Sequence, residues 1–384
     1  MFTRSGWALV AATAVLVVAA LVGHEPELWA LAAACGVALA VATAWRITGP
    51  QLELARHLPR DRVTVGEAVT AELGVTNRSR RATGPLAGRE GFGTTTFVVE
   101  LPSVPAGERV DLAYELPTER RGVVRLGPFV VDRTDPLALA GRTQRLERGE
   151  VLWIHPRVHD VEPLTAGVRP TLDGQAQQVS PHATMAFHSL REYVVGDDLR
   201  QIHWRSTAHT GTLMVRHNLD AAVPSGVVVV DTRRWVHGAD SFEEAVEVAA
   251  SLVLASARRH LPIRLVSTGG LHLDDHRADA GAFLDQLAAV ELDEHGRLVD
   301  VGRLLPRRRH GVALAVVTGS TRPEDLAALA QLCAGFSQAS VVRVRSTGTP
   351  TGPGAPAGTG LAGIEVVDVE RAAQFAAVWS RVHR

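Results

Sequence analysis

The fold of the C-terminal half is decided by the run GVVVVD at residues 226–231. The four valines between Gly226 and Asp231 are apolar on both faces, which is typical of a buried parallel strand. A helical pattern follows at 241–260, with Ser241 as the predicted N-cap and Glu244 three residues later. The alternation continues with strands at 262–268, 311–319, 339–346 and 363–369 and helices at 281–290, 322–336 and 370–383. Residues 221–384 are therefore predicted to form a doubly wound α/β domain.

The carboxyl ends of parallel strands are the place where ligands bind in sheets of this class. Asp231 ends the first predicted strand, and Thr318 lies at the end of the strand at 311–319. These two residues are the first candidates for a functional edge in the C-terminal domain.

Short alternating strands dominate residues 51–156. They are predicted at 62–77, as a pair within 94–117, as a second pair within 120–139 broken at Gly127–Pro128, and at 150–156. Regular strand spacing with turn signals predicts a small β-sandwich-like module, which we interpret as structural. Residues 157–190 are rich in Pro and Gly and are predicted to be irregular, as the first part of a connecting segment at 157–220.

Residues 1–50 have the pattern of a transmembrane helical hairpin. The segments 6–23 and 28–45 each have 18 uncharged residues, enough to cross about 27 Å as a helix. Arginines lie only outside the pair, with Arg4 before it and Arg46, Arg56, Arg60 and Arg62 after it, whereas the link carries Glu25 and Glu27. By the positive-inside rule we expect a multi-pass protein of the cell membrane with most of the chain in the cytoplasm. The alternative is a cleaved signal peptide with residues 7–22 as its apolar core.

The composition excludes several classes of protein. Hydrophobic residues make up 46% of the 384 and the net charge is −1, which argues against wholesale disorder and against a globally basic nucleic-acid binder. All 40 basic residues are Arg, so the chain lacks the lysine of a P-loop ATPase, a protein kinase or a pyridoxal-phosphate enzyme. Two cysteines, Cys35 and Cys333, are too few for a disulfide framework or a Cys-rich zinc site.

The densest group of chemically active residues lies in the segment 190–218. Asp198 is predicted to cap a helical turn at 199–206, and the carboxylates are predicted to pair with neighbouring arginines. We interpret the segment as a structural clasp, held on the sheet by Tyr193 and Trp204, and secondarily as an interaction surface. Its motif residues are Arg191, Glu192, Tyr193, Gly196, Asp197, Asp198, Arg200 and Trp204.

This motif, R-E-Y-x-x-G-D-D-x-R-x-I-x-W, resembles the hallmark of the bacterial family called domain of unknown function fifty-eight. The stretch at 120–139 resembles that family's upstream pattern of Arg-Gly, Gly-Pro and Asp-Pro. The resemblance implies a membrane hairpin, a β-module and an α/β domain akin to von Willebrand factor A. It also implies a membrane-anchored adaptor or scaffold working with a MoxR-type AAA ATPase and other membrane proteins, with no established enzymatic activity.

The chain departs from these patterns at several positions. His203 precedes Trp204 where the family often has Asp, and Ala208-His209 stands where Ala-Arg is usual. Von Willebrand A domains that bind Mg²⁺ carry Asp-x-Ser-x-Ser, whereas here Arg233 and Trp235 follow Asp231 at the serine positions. The later Thr-Asp-Gly reads Thr318-Gly319-Ser320, and the charge of Arg233 repels a divalent cation. We therefore expect a degenerate metal site, with no metal and no cofactor.

Two functions of different classes remain at this point. The first is the noncatalytic adaptor, with a lipid bilayer and membrane proteins as partners and no nucleic acid. The alternative is a metal-dependent hydrolase that uses the His- and Asp-rich segment near residue 200. No HExxH or comparable ligand spacing accompanies these histidines. The run at 307–310, RRRH, is interpreted as a solvated loop rather than a contact for nucleic acid or acidic lipid.

Overall fold

The computed structural model describes two compact units. They are Met1–His155 and Pro156–Arg384. The described residues are 2–48, 51–135, 137–146, 149–165, 186–194, 202–219, 225–274, 279–306, 311–345 and 364–382.

The first unit begins with two helices, α1 (Arg4–Gly23) and α2 (Pro26–Thr48), both long and apolar enough to span a membrane. The Thr3 hydroxyl caps α1 by accepting a hydrogen bond of 3.0 Å from the Gly6 amide. His24 ends α1 in the left-handed conformation, and Pro26 opens α2 with its backbone angle already suited to a helix. A two-residue connection therefore suffices to reverse the chain.

The rest of the first unit is a two-layer β-module. One layer is the antiparallel sheet β1-β3-β6, and the other has the order β2-β9-β7-β4-β5 with β8 paired to β7. Leu73 of one sheet and Phe129 of the other lie in the same buried cluster, so the layers share a core. The strands are β1 (Leu52–His57), β2 (Arg62–Thr64), β3 (Thr70–Asn77), β4 (Leu86–Phe92), β5 (Thr95–Leu101), β6 (Arg109–Glu115), β7 (Gly122–Thr134), β8 (Gly141–Leu146) and β9 (Glu150–His155).

Two strand predictions in this module were wrong in detail. The segment 62–77 is not one strand, because a turn separates β2 from β3. The break predicted at Gly127–Pro128 is absent, since β7 runs through this dipeptide and pairs with β4, β8 and β9. Gly127 takes a positive φ of 102° there, which a residue with a side chain would rarely adopt.

A buried ionic network joins the two sheets of the module. The Arg56 guanidinium of β1 donates to the Glu90 carboxylate of β4 at 2.7 Å. Tyr114 of β6 donates to the other Glu90 oxygen at 2.6 Å. Burial, with the Glu90 hydrogen bond, raises the pKa of Tyr114 far above its ordinary value. The polar residues of this core are thus satisfied by one another.

The second unit contains a separate two-stranded β-hairpin and a short helix. They are β10 (Ala186–Glu192), α3 (Trp204–Thr210) and β11 (Met214–Leu219), with β10 and β11 antiparallel. The prediction that 157–190 is wholly irregular was therefore wrong at its end, because residues 186–190 belong to β10.

The main body of the second unit is a six-stranded mixed sheet of order β14-β13-β12-β15-β16-β17, in which only β14 is antiparallel to its neighbour. The elements are β12 (Ser225–Val230), α4 (Ala239–Arg258), β13 (Ile263–Ser267), β14 (His272–Asp274), α5 (Ala280–Ala289), α6 (Leu298–Leu304), β15 (Val312–Thr318), α7 (Pro323–Cys333), β16 (Gln338–Val344), β17 (Glu365–Val369) and α8 (Ala372–Val382).

Helices cover both faces of this sheet. Val228 and Val230 of β12 pack with α4, α5 and α8, whereas Val227 and Val229 pack with α6 and α7. The four valines at 227–230 are thus buried on alternate sides, as a strand between two helix layers requires. Ser241 was wrongly predicted as the N-cap of α4: it lies in the first turn, and its hydroxyl accepts from the Gly238 amide at 2.9 Å.

Candidate functional site

The carboxyl ends of three adjacent strands form a buried polar cluster. Asp231 follows β12, Thr268 follows β13, and Thr318 is the last residue of β15. The Thr318 hydroxyl donates to Asp231 Oδ2 at 2.7 Å. Asp231 and Thr318 have no exposed surface. The structure therefore brings together the two residues that the sequence singled out at this edge.

The Arg233 guanidinium bridges two carboxylates in this cluster. Its Nε donates to Asp231 Oδ1 at 2.9 Å, and a terminal nitrogen donates to Asp231 Oδ2 at 2.8 Å. The other terminal nitrogen donates to Asp325 Oδ1 at 2.6 Å. Asp325 lies in the first turn of α7, where its second oxygen accepts from the Arg322 amide at 3.1 Å. This group, Asp231, Arg233 and Asp325, is called the ion triad below.

The charge of the triad is fixed by its geometry. Burial alone lowers the pKa of Arg233, but hydrogen bonds and charge interactions with Asp231 and Asp325 outweigh it and raise that pKa above its ordinary value. The guanidinium therefore stays protonated and supplies the positive charge that two buried carboxylates need. A bidentate contact of this kind is specific to Arg, since an ammonium group cannot present two parallel donors.

Two turns close over the triad. On the β15 side the Ser320 amide donates to the Val236 carbonyl at 2.7 Å, and a Cβ on Gly319 would lie 1.9 Å from that oxygen. On the β13 side the Asp293 amide donates to the Thr232 carbonyl at 2.7 Å. Glycine at 319 is thus required by close packing, because any side chain at this position would collide with the Val236 carbonyl.

His237 is a buried member of the cluster that sequence reasoning missed. Its Nε2 donates to the Asp231 carbonyl at 2.6 Å, while Nδ1 has no hydrogen-bond partner among the described residues. Burial lowers the pKa of His237 below its ordinary value, against the opposing pull of Asp231. The imidazole is therefore neutral at pH 7 and carries its proton on Nε2. Nothing in the local sequence distinguishes it from the surface histidines nearby.

A cavity of about 300 Å³ opens beside the cluster, on the β13 side. Its wall includes the Thr232 and Ser267 residues and the end of α5, with Asp293 and Glu291 from the following loop. The volume is at the lower limit of pockets that hold small ligands. Within the described residues, no group of three or more His, Cys, Asp or Glu side chains is placed to hold a metal ion.

The motif residues near 200 are described only in part. Arg191 and Glu192 end β10, and Tyr193 follows it with its amide bonded to the Leu213 carbonyl at 2.8 Å. Gly196, Asp197, Asp198 and Arg200 lie outside the described residues, and so does the predicted cap at Asp198. The helix at this place is α3, which begins later than predicted and is capped by His203: Ser206 N donates to His203 Nδ1 at 3.2 Å.

Two tryptophans of the second unit face solvent. Trp204 opens α3 with 68% of its surface exposed, so the prediction that it packs the motif segment onto the sheet was wrong. Trp235 is 45% exposed, with the Arg233 guanidinium 5.5 Å from its ring centroid. Trp235 thus shields the outer side of the ion triad while it presents the rest of its surface to solvent.

The family comparison falls on the same part of the chain. Residues 189–271 match the family model described as Protein of unknown function DUF58. This segment belongs to the DUF58 family. The match confirms the resemblance that the motif at 191–204 indicates. The matched segment includes the end of β10 and the whole of α3, β11, β12, α4 and β13. It therefore includes Asp231, Arg233 and His237.

Other comparisons are weak. Comparison with curated proteins gave no match. Among solved structures, the CARDB domain of a Pyrococcus furiosus protein is 17% identical over 27% of this chain and 88% of that chain, with a TM-score of 0.21. A Listeria innocua β-glucosidase is 15% identical over 26% and 16%, with a TM-score of 0.19. The Pseudomonas fluorescens alkylpurine DNA glycosylase AlkC is 13% identical over 28% and 33%, also with a TM-score of 0.19.

Proposed function

We propose that the protein is a noncatalytic, membrane-anchored adaptor or scaffold that works with a MoxR-type AAA ATPase and other membrane proteins. It is a multi-pass protein whose larger part lies in the cytoplasm. The second unit, a von Willebrand factor A-like domain in this proposal, presents the surface that the partner binds. The ATPase is named from the family resemblance of the motif segment.

The ion triad is the observation that carries the noncatalytic assignment. A catalytic carboxylate has to reach the reacting atoms, directly or through one water molecule. Asp231 is fully buried, and both of its carboxylate oxygens accept hydrogen bonds from Arg233. The strand edge at which α/β sheets bind their ligands is thus occupied by the protein's own cation.

The surface of α1 and α2 supports the membrane anchor. Large apolar side chains along both helices are exposed, including Val15, Val18, Leu21, Val37 and Val41. An apolar surface of this extent marks a membrane or protein contact, because soluble proteins rarely leave it in water. A lipid bilayer satisfies helices of this length without any further partner.

The strand order of the second unit supports the von Willebrand factor A-like assignment. The first strand of the six-stranded sheet, β12, lies in its interior; the chain continues to β13 and β14 on one side and then returns to β15 on the other. This arrangement has the switch in strand order at which open α/β sheets bind ligands, and the triad lies at that switch.

Trp204 is the best candidate for the partner contact. A large apolar side chain on a short helix is normally buried, whereas most of the Trp204 surface is exposed. Tryptophan is also enriched among the residues that contribute most to the binding energy of protein interfaces. Trp204 belongs to the family motif, so the proposed surface is also the one that the resemblance emphasises.

Affinity purification of the tagged full-length protein from its own membranes tests the proposal. We expect an AAA ATPase to copurify with the wild-type protein and to be lost with Trp204→Ala, whose melting temperature should be unchanged. Trp235→Ala is the matched control, because it removes an exposed tryptophan from the same unit at the triad edge. Copurification that survives Trp204→Ala and fails with Trp235→Ala would move the contact to that edge.

Elemental analysis of the same preparation tests the hydrolase alternative. His203 is engaged in capping α3 through Nδ1, which also lies 2.7 Å from the Ser206 hydroxyl. A stoichiometric transition metal, lost together with a hydrolytic activity in His203→Ala, would contradict the noncatalytic assignment. Absence of any ATPase from the wild-type preparation would contradict the adaptor itself.

A further inference from the structure

The loop after β7 is fixed to the start of α1. The Thr3 amide donates to the Leu139 carbonyl at 3.0 Å, and the Thr3 hydroxyl donates to the Ala138 carbonyl at 2.6 Å. Phe2 and Ala140 pair as an antiparallel β-bridge. The loop, residues 135 and 137–140, is called the anchor loop below.

The anchor loop also contacts the end of α2. Ala42 of α2 is buried in one apolar cluster with Leu139 and Ala140. The Arg133 guanidinium, at the end of β7, lies 4.3 Å from the centroid of the Trp45 ring. The β-module is therefore held at the ends of both helices through this loop and β7.

The anchor loop has an internal structure of its own. Asp135 is buried, and its two carboxylate oxygens accept from the Ala140 amide at 2.5 Å and from the Leu137 amide at 3.0 Å. Ala138 takes a positive φ of 54°. These contacts hold the backbone of the loop while the Leu137 side chain remains 55% exposed.

Two tryptophans lie near the helix ends that the anchor loop contacts. Trp7 lies one turn inside α1, is largely exposed, and contacts Phe2 edge-to-face at a ring distance of 5.9 Å. Trp45 lies close to the end of α2 at the same end of the hairpin. Indoles favour the interface between hydrocarbon and water, so this end of the hairpin lies at that interface.

We propose that the anchor loop is a lipid-contacting surface, and that Leu137 inserts into the interface of the bilayer beside Trp7 and Trp45. The partner is the lipid itself, because the loop is continuous with helices whose exposed surface is apolar. This inference rests on the membrane anchor of the proposed function. It adds that the β-module lies against the bilayer rather than at the end of a flexible tether.

Quenching by brominated lipid tests the position of Leu137. Single-cysteine variants of the full-length protein, made with Cys35 and Cys333 replaced by serine, are labelled with an environment-sensitive dye and placed in phosphatidylcholine vesicles with or without brominated acyl chains. The labelled sites are Leu137→Cys, Val15→Cys in the middle of α1, and Thr94→Cys. Val15 and Thr94 are both exposed.

Thr94 is the matched control because it lies at the other end of the same sheet. Phe92 pairs with Leu126 and Gly88 with Val131, so the turn after Phe92 is distant from the end of β7 at Thr134. The eight steps from Leu126 to Thr134 extend over roughly 26 Å at about 3.3 Å per residue.

The expected result is emission at shorter wavelength and quenching at residue 137, stronger quenching at residue 15, and neither at residue 94. Quenching at residue 15 with residue 137 behaving like residue 94 would overturn the inference and leave the anchor intact. No quenching at any site would overturn the membrane anchor, and the inference with it.

Discussion

At the scale of single residues, Arg233 is the most informative position in the chain. From the sequence, Arg233 is expected to repel a divalent cation and is one candidate partner for the Asp231 carboxylate. The structure adds that the guanidinium itself neutralises Asp231 and Asp325, with three nitrogen–oxygen distances between 2.6 and 2.9 Å. Arg233 thus holds the turn after β12 to the first turn of α7, where its partner Asp325 lies 92 residues further along the sequence.

Removal of Arg233 should destabilise the protein strongly. Arg233→Ala leaves two buried carboxylates without a counterion, and breaking a buried pair in this way costs about 3–5 kcal/mol. Denaturant unfolding of the full-length protein in detergent measures the loss, with Arg234→Ala as the control because Arg234 is exposed. Equal stability of the two variants would mean that the triad contributes nothing to folding.

His237 makes stability depend on pH. Burial lowers its pKa in the folded protein, whereas the unfolded chain binds the proton with a pKa of about 6.5. The unfolded state therefore takes up the proton first, so this contribution is complete above about pH 6.5 and is lost as the pH falls toward the folded pKa.

The comparison of His237→Gln with the wild-type protein isolates this effect. The stability advantage of the wild type over the variant should shrink between pH 7.5 and pH 5.5, as measured by denaturant unfolding at each pH. His295→Gln is the control, since that imidazole is almost fully exposed. An advantage that is constant with pH would show that His237 keeps an ordinary pKa in the folded protein.

At the scale of elements, the sequence predicted the interior of the second unit best. Each of its parallel strands was located to within two residues at either end, because strands buried on both faces are continuous apolar runs. Short or polar elements were missed: β1 carries Arg56 inward to an ionic network, and β14 has only three residues. The site was found in the same way, since Asp231 and Thr318 end apolar runs.

The remaining site residues gave no local signal. Asp325 lies in the first turn of a helix, where an acidic residue is common whatever its partners. Thr268 and His237 join the cluster only through contacts between separate strands and turns. Such contacts depend on the assembled sheet and have no pattern in one sequence.

The turn at Gly319 offers a test of close packing between elements. Gly319→Ala places a Cβ within 1.9 Å of the Val236 carbonyl, so the turns over the triad have to separate and the melting temperature should fall clearly. Gly302→Ala is the control, because nothing lies within 4 Å of its Cβ and alanine favours α6 by about 0.5–1 kcal/mol. A Gly319 variant as stable as the Gly302 variant would contradict the packing described here.

At the scale of the whole molecule, the positions of the arginines predict on which side of the proposed membrane the β-module and the second unit lie. Arg4 is the first residue of α1, whereas the connection to α2 contains Glu25 and the first turn of α2 carries Glu27. We therefore expect both ends of the helical hairpin α1–α2 to be cytoplasmic.

A fluorescent protein that matures only in the cytoplasm should fluoresce when fused after Arg384, and alkaline phosphatase at that site should be inactive. In chains truncated after Glu25, the same two reporters should give the opposite result. Phosphatase activity at Arg384 would place Trp204 outside the cytoplasm, where no cytosolic ATPase can reach it, so this one measurement tests the orientation and a condition of the proposed partnership.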